Sequence, residues 1–138
     1  MGQVPFTILD EGRAHDELAH VDGGSVRLDA AALERALGWK LEPQGLCRGD
    51  VCMPTGGRAG LVSDGCVDLA GFASLTHRPL ALDLEERVAA LGASAAERGQ
   101  ALRGGIAPDF SLPDLAGREW TLSGFRGKKV LLIAYASW

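Results

Sequence analysis

Chemistry has few places to reside in this chain: three cysteines and three histidines among 138 residues. Cys47 and Cys52 flank Arg48-Gly49-Asp50-Val51, and Arg48-Gly49-Asp50 is a natural tight-turn sequence. Leu46-Cys47 and Val51-Cys52 then read as the arms of a hairpin. Such a hairpin brings both sulfurs within disulfide reach, which needs Cα atoms roughly 4.4–6.8 Å apart. Three readings fit the pair: a redox couple, two metal ligands, or two reduced thiols that only pack. Arg48 next to Cys47 favours its thiolate, and Asp50 opposes that. The redox reading requires no cofactor. The metal reading places Zn on Cys47, Cys52 and Cys66, with His77 as the fourth ligand and His15 or His20 competing for that place.

Other chemistries find less support. Arg48-Gly49-Asp50 has the form of a looped integrin ligand, but turn chemistry accounts for the triplet. Glu85-Glu86 and Asp16-Glu17 are adjacent carboxylates that diverge on a helix and read as solvated surface. The chain carries no P-loop, Gly-x-Gly-x-x-Gly, His-Glu-x-x-His or Gly-x-Ser-x-Gly motif. With 14 Lys and Arg against 18 Asp and Glu, the net charge of −4 excludes a nucleic-acid binder driven by overall charge. No stretch reaches the ~18 apolar residues of a membrane span. Met1 to Asp10 has no basic residue ahead of its short apolar run, so it does not read as a secretory signal. A cytoplasmic protein is expected.

The elements that must hold the cysteines follow from periodicity. Val4 to Leu9 is β-like. Ser25 to Leu28 alternates like a strand, Asp29 is placed to cap a helix, and Ala30 to Leu37 has helical spacing ended by Gly38. Trp39-Lys40-Leu41 alternates again. Adding 41 to these numbers carries Val26 and Leu28 onto Val67 and Leu69, and Trp39 and Leu41 onto Leu80 and Leu82. Ala70 to His77 supplies a second short helix between them, so a strand–helix–strand quasi-repeat is predicted. Leu84 to Leu91 has helical spacing, and Ser94 to Leu102 reads as a helix with Ser94 and Glu97 as a capping box. Gly104-Gly105 and Pro108 interrupt regular structure. They divide the chain into an accessory α+β domain at 1–103 and a second segment at 104–138. The first 100 residues hold 9 basic and 15 acidic side chains and the rest 5 and 3, a shift in the same place.

The second segment carries the most specific pattern. Ala107-Pro108-Asp109-Phe110-Ser111-Leu112-Pro113-Asp114 precedes Leu115-Ala116-Gly117-Arg118-Glu119-Trp120-Thr121-Leu122. Ser123-Gly124-Phe125-Arg126-Gly127-Lys128-Lys129 then leads into Val130-Leu131-Leu132-Ile133-Ala134-Tyr135-Ala136-Ser137-Trp138. Asp114 to Gly117 reads as a turn, Trp120 to Leu122 as the return strand of a hairpin, and Val130 to Ala136 as a buried central strand. The whole resembles the opening of the thioredoxin-like redoxin superfamily, which holds AhpC/TSA peroxiredoxins and TlpA/ResA-type thiol–disulfide reductases. The resemblance covers residues 107–138. It implies the first β-hairpin and first core strand of an incomplete thioredoxin-like α/β fold.

In that family the strand leads directly into Cys-x-x-Cys at a helix N-terminus, where the helix dipole lowers the thiol pKa. Here Trp138 is the last residue, and neither Cys47, Cys52 nor Cys66 aligns with a family catalytic cysteine. The resemblance implies an oxidoreductase, a thiol–disulfide or peroxide reductase, supplied with electrons by a thiol donor such as a thioredoxin-type protein. Its principal motif then lies outside this chain; no family role transfers to Cys47 and Cys52, which are candidates for an accessory redox pair. The alternative is a metal- or protein-binding module at 1–103 fused to a redoxin. An end at Trp138 is expected either from a shortened chain or from a UGA selenocysteine codon read as a stop. Val130 to Ala136, if unpaired, is an association hazard, and pairing with the 1–103 domain or with a second copy is expected.

Overall fold

The computed structural model describes residues 2–135. The chain is mixed α/β, with few helices and several sheets, and divides into two compact units, Met1–Arg98 and Gly99–Trp138.

The first unit is built on strands β1 (Gln3–Asp10), β2 (Arg13–Asp22) and β3 (Ser25–Asp29), helix α1 (Ala30–Leu37) and strands β4 (Lys40–Glu42), β5 (Gly45–Arg48) and β6 (Val51–Met53). It continues with β7 (Val62–Ser63), β8 (Cys66–Asp68), helix α2 (Leu69–Leu75), β9 (Leu80–Asp83) and β10 (Val88–Leu91). Helix α3 (Ala95–Arg103) follows. Seven strands form one sheet in the order β7-β8-β3-β2-β1-β10-β9, in which β1 and β10 are parallel and the other neighbours antiparallel. A separate three-stranded sheet has the order β4-β5-β6.

Alternation along the strands sends Phe6, Ile8, Val26, Leu28, Val67, Ala89 and Leu91 to one face, where Leu33 and Leu37 of α1 and Leu69 and Phe72 of α2 meet them. Each of the larger ones among these side chains, fully buried, contributes about 1.5–3 kcal/mol. The opposite face, with Leu9, Asp16 and Leu18, stays open to solvent, and β2 is polar on both faces: His15 and Glu17 lie opposite Ile8 and Phe6. Glu17 sits on the helix-covered face. Its side chain is only 9% exposed and is paired with Arg35 of α1 at 2.6 Å, so it is not the solvated residue its neighbours suggest.

The predicted quasi-repeat appears in altered register. The hairpin turns recur at a spacing of 41, Asp22–Ser25 closing β2–β3 and Ser63–Cys66 closing β7–β8. The helix caps recur at 39, Asp29 accepting from Ala32 N at 2.7 Å and Asp68 from Gly71 N at 2.8 Å, because β8 is two residues shorter than β3. Leu69 therefore starts α2 rather than extending a strand, and Leu28 faces Val67 across the β3–β8 ladder. Both helices are followed by a left-handed residue, Gly38 at φ 70° and His77 at φ 53°. The latter is an uncommon place for a side chain with a Cβ. Beyond these the copies part: β4 joins the small sheet and β9 the large one.

Leu84 to Leu91 is not a helix. Asp83 Oδ1 accepts from Glu85 N and Glu86 N, both at 3.0 Å, closing a turn, and Val88–Leu91 is a strand with Ala89 and Leu91 inward. Local side-chain bonding and a parallel partner, β1, override a marginal helical spacing. The capping box at α3 forms reciprocally, Glu97 N to Ser94 Oγ at 3.1 Å and Ser94 N to Glu97 Oε2 at 2.7 Å.

The second unit contains a hairpin of β11 (Ser111–Pro113) and β12 (Glu119–Thr121), followed by a 3-10 turn at Leu122–Phe125. Residues 130–135 form neither strand nor helix, and Val130, Leu131, Leu132, Ile133 and Tyr135 are exposed. The buried strand expected at Val130 to Ala136 is thus not formed over these residues. A strand exists only when a neighbour pairs its backbone, and none of the described strands does so. Ala136 lies outside the described residues.

Candidate functional site

The hairpin predicted around Arg48-Gly49-Asp50 is β5–β6. Its register sets Cys47 directly opposite Cys52, with Leu46 opposite Met53 and Arg48 opposite Val51. Cys47 and Cys52 are joined by a disulfide, with Cα atoms 4.1 Å apart. The two sulfurs are not equivalent. Cys47 is buried at 8% exposure in the central strand of its sheet, whereas Cys52 on the edge strand is exposed. Cys52 is thus the more accessible end of the disulfide. Gly45, at the start of β5, is required by space, because a Cβ there would lie 2.1 Å from the Met53 carbonyl oxygen.

Strand alternation separates the disulfide from its charged neighbour. Cys47 and Cys52 project from one face of the hairpin, and Arg48, Val51 and Met53 from the other. The Arg48 guanidinium lies 5.2 Å from the centre of the Trp39 ring and 3.6 Å from Glu97 Oε1. It is occupied away from the sulfurs, although it adjoins Cys47 in sequence.

The other proposed ligands are dispersed. Cys66 is a free, half-buried thiol on β8, bordering a cleft with His20, Ser25 and Arg27. His77 is exposed in the left-handed position after α2. His15 and His20 are half-buried on β2, His20 within 3.2 Å of Gln3 Nε2. Among the described residues no three His, Cys, Asp or Glu side chains come together as a metal site, so Cys47, Cys52, Cys66 and His77 are not gathered into one. A sulfur in a disulfide is also not a thiolate ligand.

On the Arg48 face of the hairpin lies a cleft of about 300 Å³, lined by Trp39, Arg48, Val51, Met53, Thr76, Arg78, Ser94 and Glu97. Trp39 is 4% exposed and packs edge-on against Phe72 at 5.8 Å, yet its Nε1 has no hydrogen-bond partner. Arg78, nearly buried, donates to Asp10 Oδ1, to the Gly92 carbonyl at 2.7 Å from Nε and to the Leu91 carbonyl at 3.4 Å. Glu97 is held below the usual glutamate range, first by the Ser94 backbone and side chain, with the Arg48 and Arg78 charges adding to this. Trp39 and Arg78 occupy equivalent places in the quasi-repeat, each directly after the left-handed residue that ends its helix. Sequence reasoning passed over both. The available signal was an aromatic and a cation at matching offsets from two Asp caps.

Compared with protein-family models, curated proteins and solved structures, the chain has no match in any of the three. No helix among the described residues is long and apolar enough to cross a membrane.

Proposed function

We propose that this chain is part of a cytoplasmic thiol-dependent redoxin, in which Cys47 and Cys52 are an accessory redox pair serving a thiol–disulfide or peroxide reductase. The observation that carries the reading is the Cys47–Cys52 disulfide across β5–β6, with one cysteine exposed and the other buried. Support for the redoxin assignment comes from residues 107–138, whose motif resembles the opening of the thioredoxin-like superfamily and whose β11–β12 hairpin has the strand-turn-strand order of that opening. Cytosolic disulfides are more often redox-active than structural.

The exchange runs in two balanced steps. A donor thiolate attacks Cys52 Sγ, the S–S bond breaks, and Cys47 leaves as a thiolate that takes a proton from water. The second donor thiol, deprotonated, then attacks its own sulfur in the mixed disulfide and releases Cys52. Two electrons pass from a dithiol donor, such as a thioredoxin-type protein, to the pair.

Equilibration in thiol redox buffers followed by alkylation and mass measurement tests this. The expected result is a reversible change of about 2 Da confined to Cys47 and Cys52, with a midpoint of roughly −180 to −270 mV. A midpoint below about −300 mV would mark a structural staple and overturn the reading. So would zinc bound to protected thiols in the reduced protein.

A further inference from the structure

The cleft on the other face of the hairpin contains polar groups that the redox chemistry does not use. Trp39 Nε1 is a donor without an acceptor in a side chain that is otherwise sealed, and a buried unpaired donor is costly unless something occupies it. Arg48 approaches Glu97 only to 3.6 Å, well beyond the 2.7–2.9 Å typical of a charge-assisted bond, so its planar fork of donors is under-used. Arg78 spends Nε and one terminal nitrogen on Gly92, Leu91 and Asp10, leaving Nη1 over. Val51 and Met53 supply an apolar wall beside these donors.

The Arg48 guanidinium, the Trp39 ring and an apolar wall border one small space, with Arg78 beside it paired to Asp10, which suits an acceptor-only, planar anion. We infer that the cleft between β5–β6 and the segments after α1 and α2 binds a small carboxylic acid with an apolar chain. Its carboxylate takes hydrogen bonds from Arg48 and Trp39 Nε1 beside the Arg78 charge, and its chain lies along Val51 and Met53. Glu97 is the internal competitor: Oε2 stays with Ser94 N in the capping box while Oε1 faces Arg48, so the ligand competes with Oε1 for the guanidinium. The fork geometry of Arg48 favours a carboxylate, which it can grip through two parallel N–H···O bonds. The volume of about 300 Å³ sits at the small end of ligand sites and limits the chain to a short one.

The full chain, labelled with 15N, titrated with sodium hexanoate, hexanamide and inorganic phosphate and followed at the Trp39 indole N–H resonance, tests the site. Trp39→Phe assigns that resonance. Hexanoate is expected to shift it downfield and saturably, with hexanamide and phosphate each binding at least about tenfold more weakly. Arg48→Gln should weaken hexanoate about tenfold or more, and Glu97→Gln should strengthen it severalfold. Because Glu97→Gln improves binding only in a folded protein, that gain separates a site from simple disruption. Equal binding of hexanoate and hexanamide, phosphate binding as tight as hexanoate, or an unmoved Trp39 resonance would each overturn the inference. Loss of affinity in Glu97→Gln with native circular dichroism would do the same.

Discussion

The two compact units reach order by different routes. In Met1–Arg98, Phe6, Ile8, Leu28, Leu33 and Phe72 are sealed between a sheet and two helices, and residues far apart in sequence hold one another. In Gly99–Trp138, Leu112, Leu115 and Trp120 are exposed, and the β11–β12 hairpin is organised instead by one carboxylate. Asp114 accepts from Ala116 N and Arg118 N at 2.9 Å, from Arg118 Nε at 2.9 Å and from Trp120 Nε1 at 3.0 Å. A hairpin can be specified by a short polar network, whereas seven strands in a shuffled order need a common apolar face.

The widest contrast is between truncations of large apolar side chains in the two regions. Phe72→Ala removes a ring with no exposure and should cost about 3–5 kcal/mol, read as a fall in the urea midpoint. Leu112→Ala, at a residue 58% exposed, should change stability by no more than about 0.5 kcal/mol. A comparable loss from both would erase the distinction between the units.

The two caps of the quasi-repeat give a smaller and sharper comparison. Asp29→Ala removes one bond, to Ala32 N, and should cost about 1 kcal/mol. Asp68 caps α2 and also accepts from Ser25 Oγ at 2.6 Å, so Asp68→Ala should reach about 2 kcal/mol. Thermal melts of the two variants compare them directly, and a larger loss at Asp29 would contradict the account.

The smallest effect is pH dependence in the hairpin. Asp114 is held below the usual aspartate range, first by the Trp120 indole, then by the Arg118 backbone. Its folded pKa is depressed, so its stabilisation is present above the ordinary aspartate pKa and is lost as pH falls through the lowered value. The Trp120 indole N–H resonance should move towards that of a free indole on acidification. In Asp114→Asn this pH-dependent movement should disappear.

Much of the local structure was legible in the residues. Asp29 and Gly38 bracket α1, Ser94 and Glu97 start α3, and Arg48-Gly49-Asp50 closes the cysteine hairpin, because each depends on chemistry within a few positions. The failures have one cause. Polar β2, the strand Val88–Leu91 and the unformed strand at 130–135 were all decided by the presence or absence of a pairing partner. The same holds for the candidate sites. The turn between Cys47 and Cys52 was sufficient to set them opposite each other, whereas Cys66 and His77 gave no hint that they would lie apart from that pair.

The sequence by itself determined the turns, the caps, the hairpin that opposes Cys47 to Cys52, and a motif at 107–138 that resembles a redoxin opening. Only the tertiary structure decided the strand order, the exposure that distinguishes Cys52 from Cys47, and the meeting of Trp39, Arg48, Arg78 and Glu97 around one cleft. Turns and caps are short-range hydrogen bonds that a few residues can specify. Burial and convergence depend on which distant segments share the core, and no local pattern encodes that.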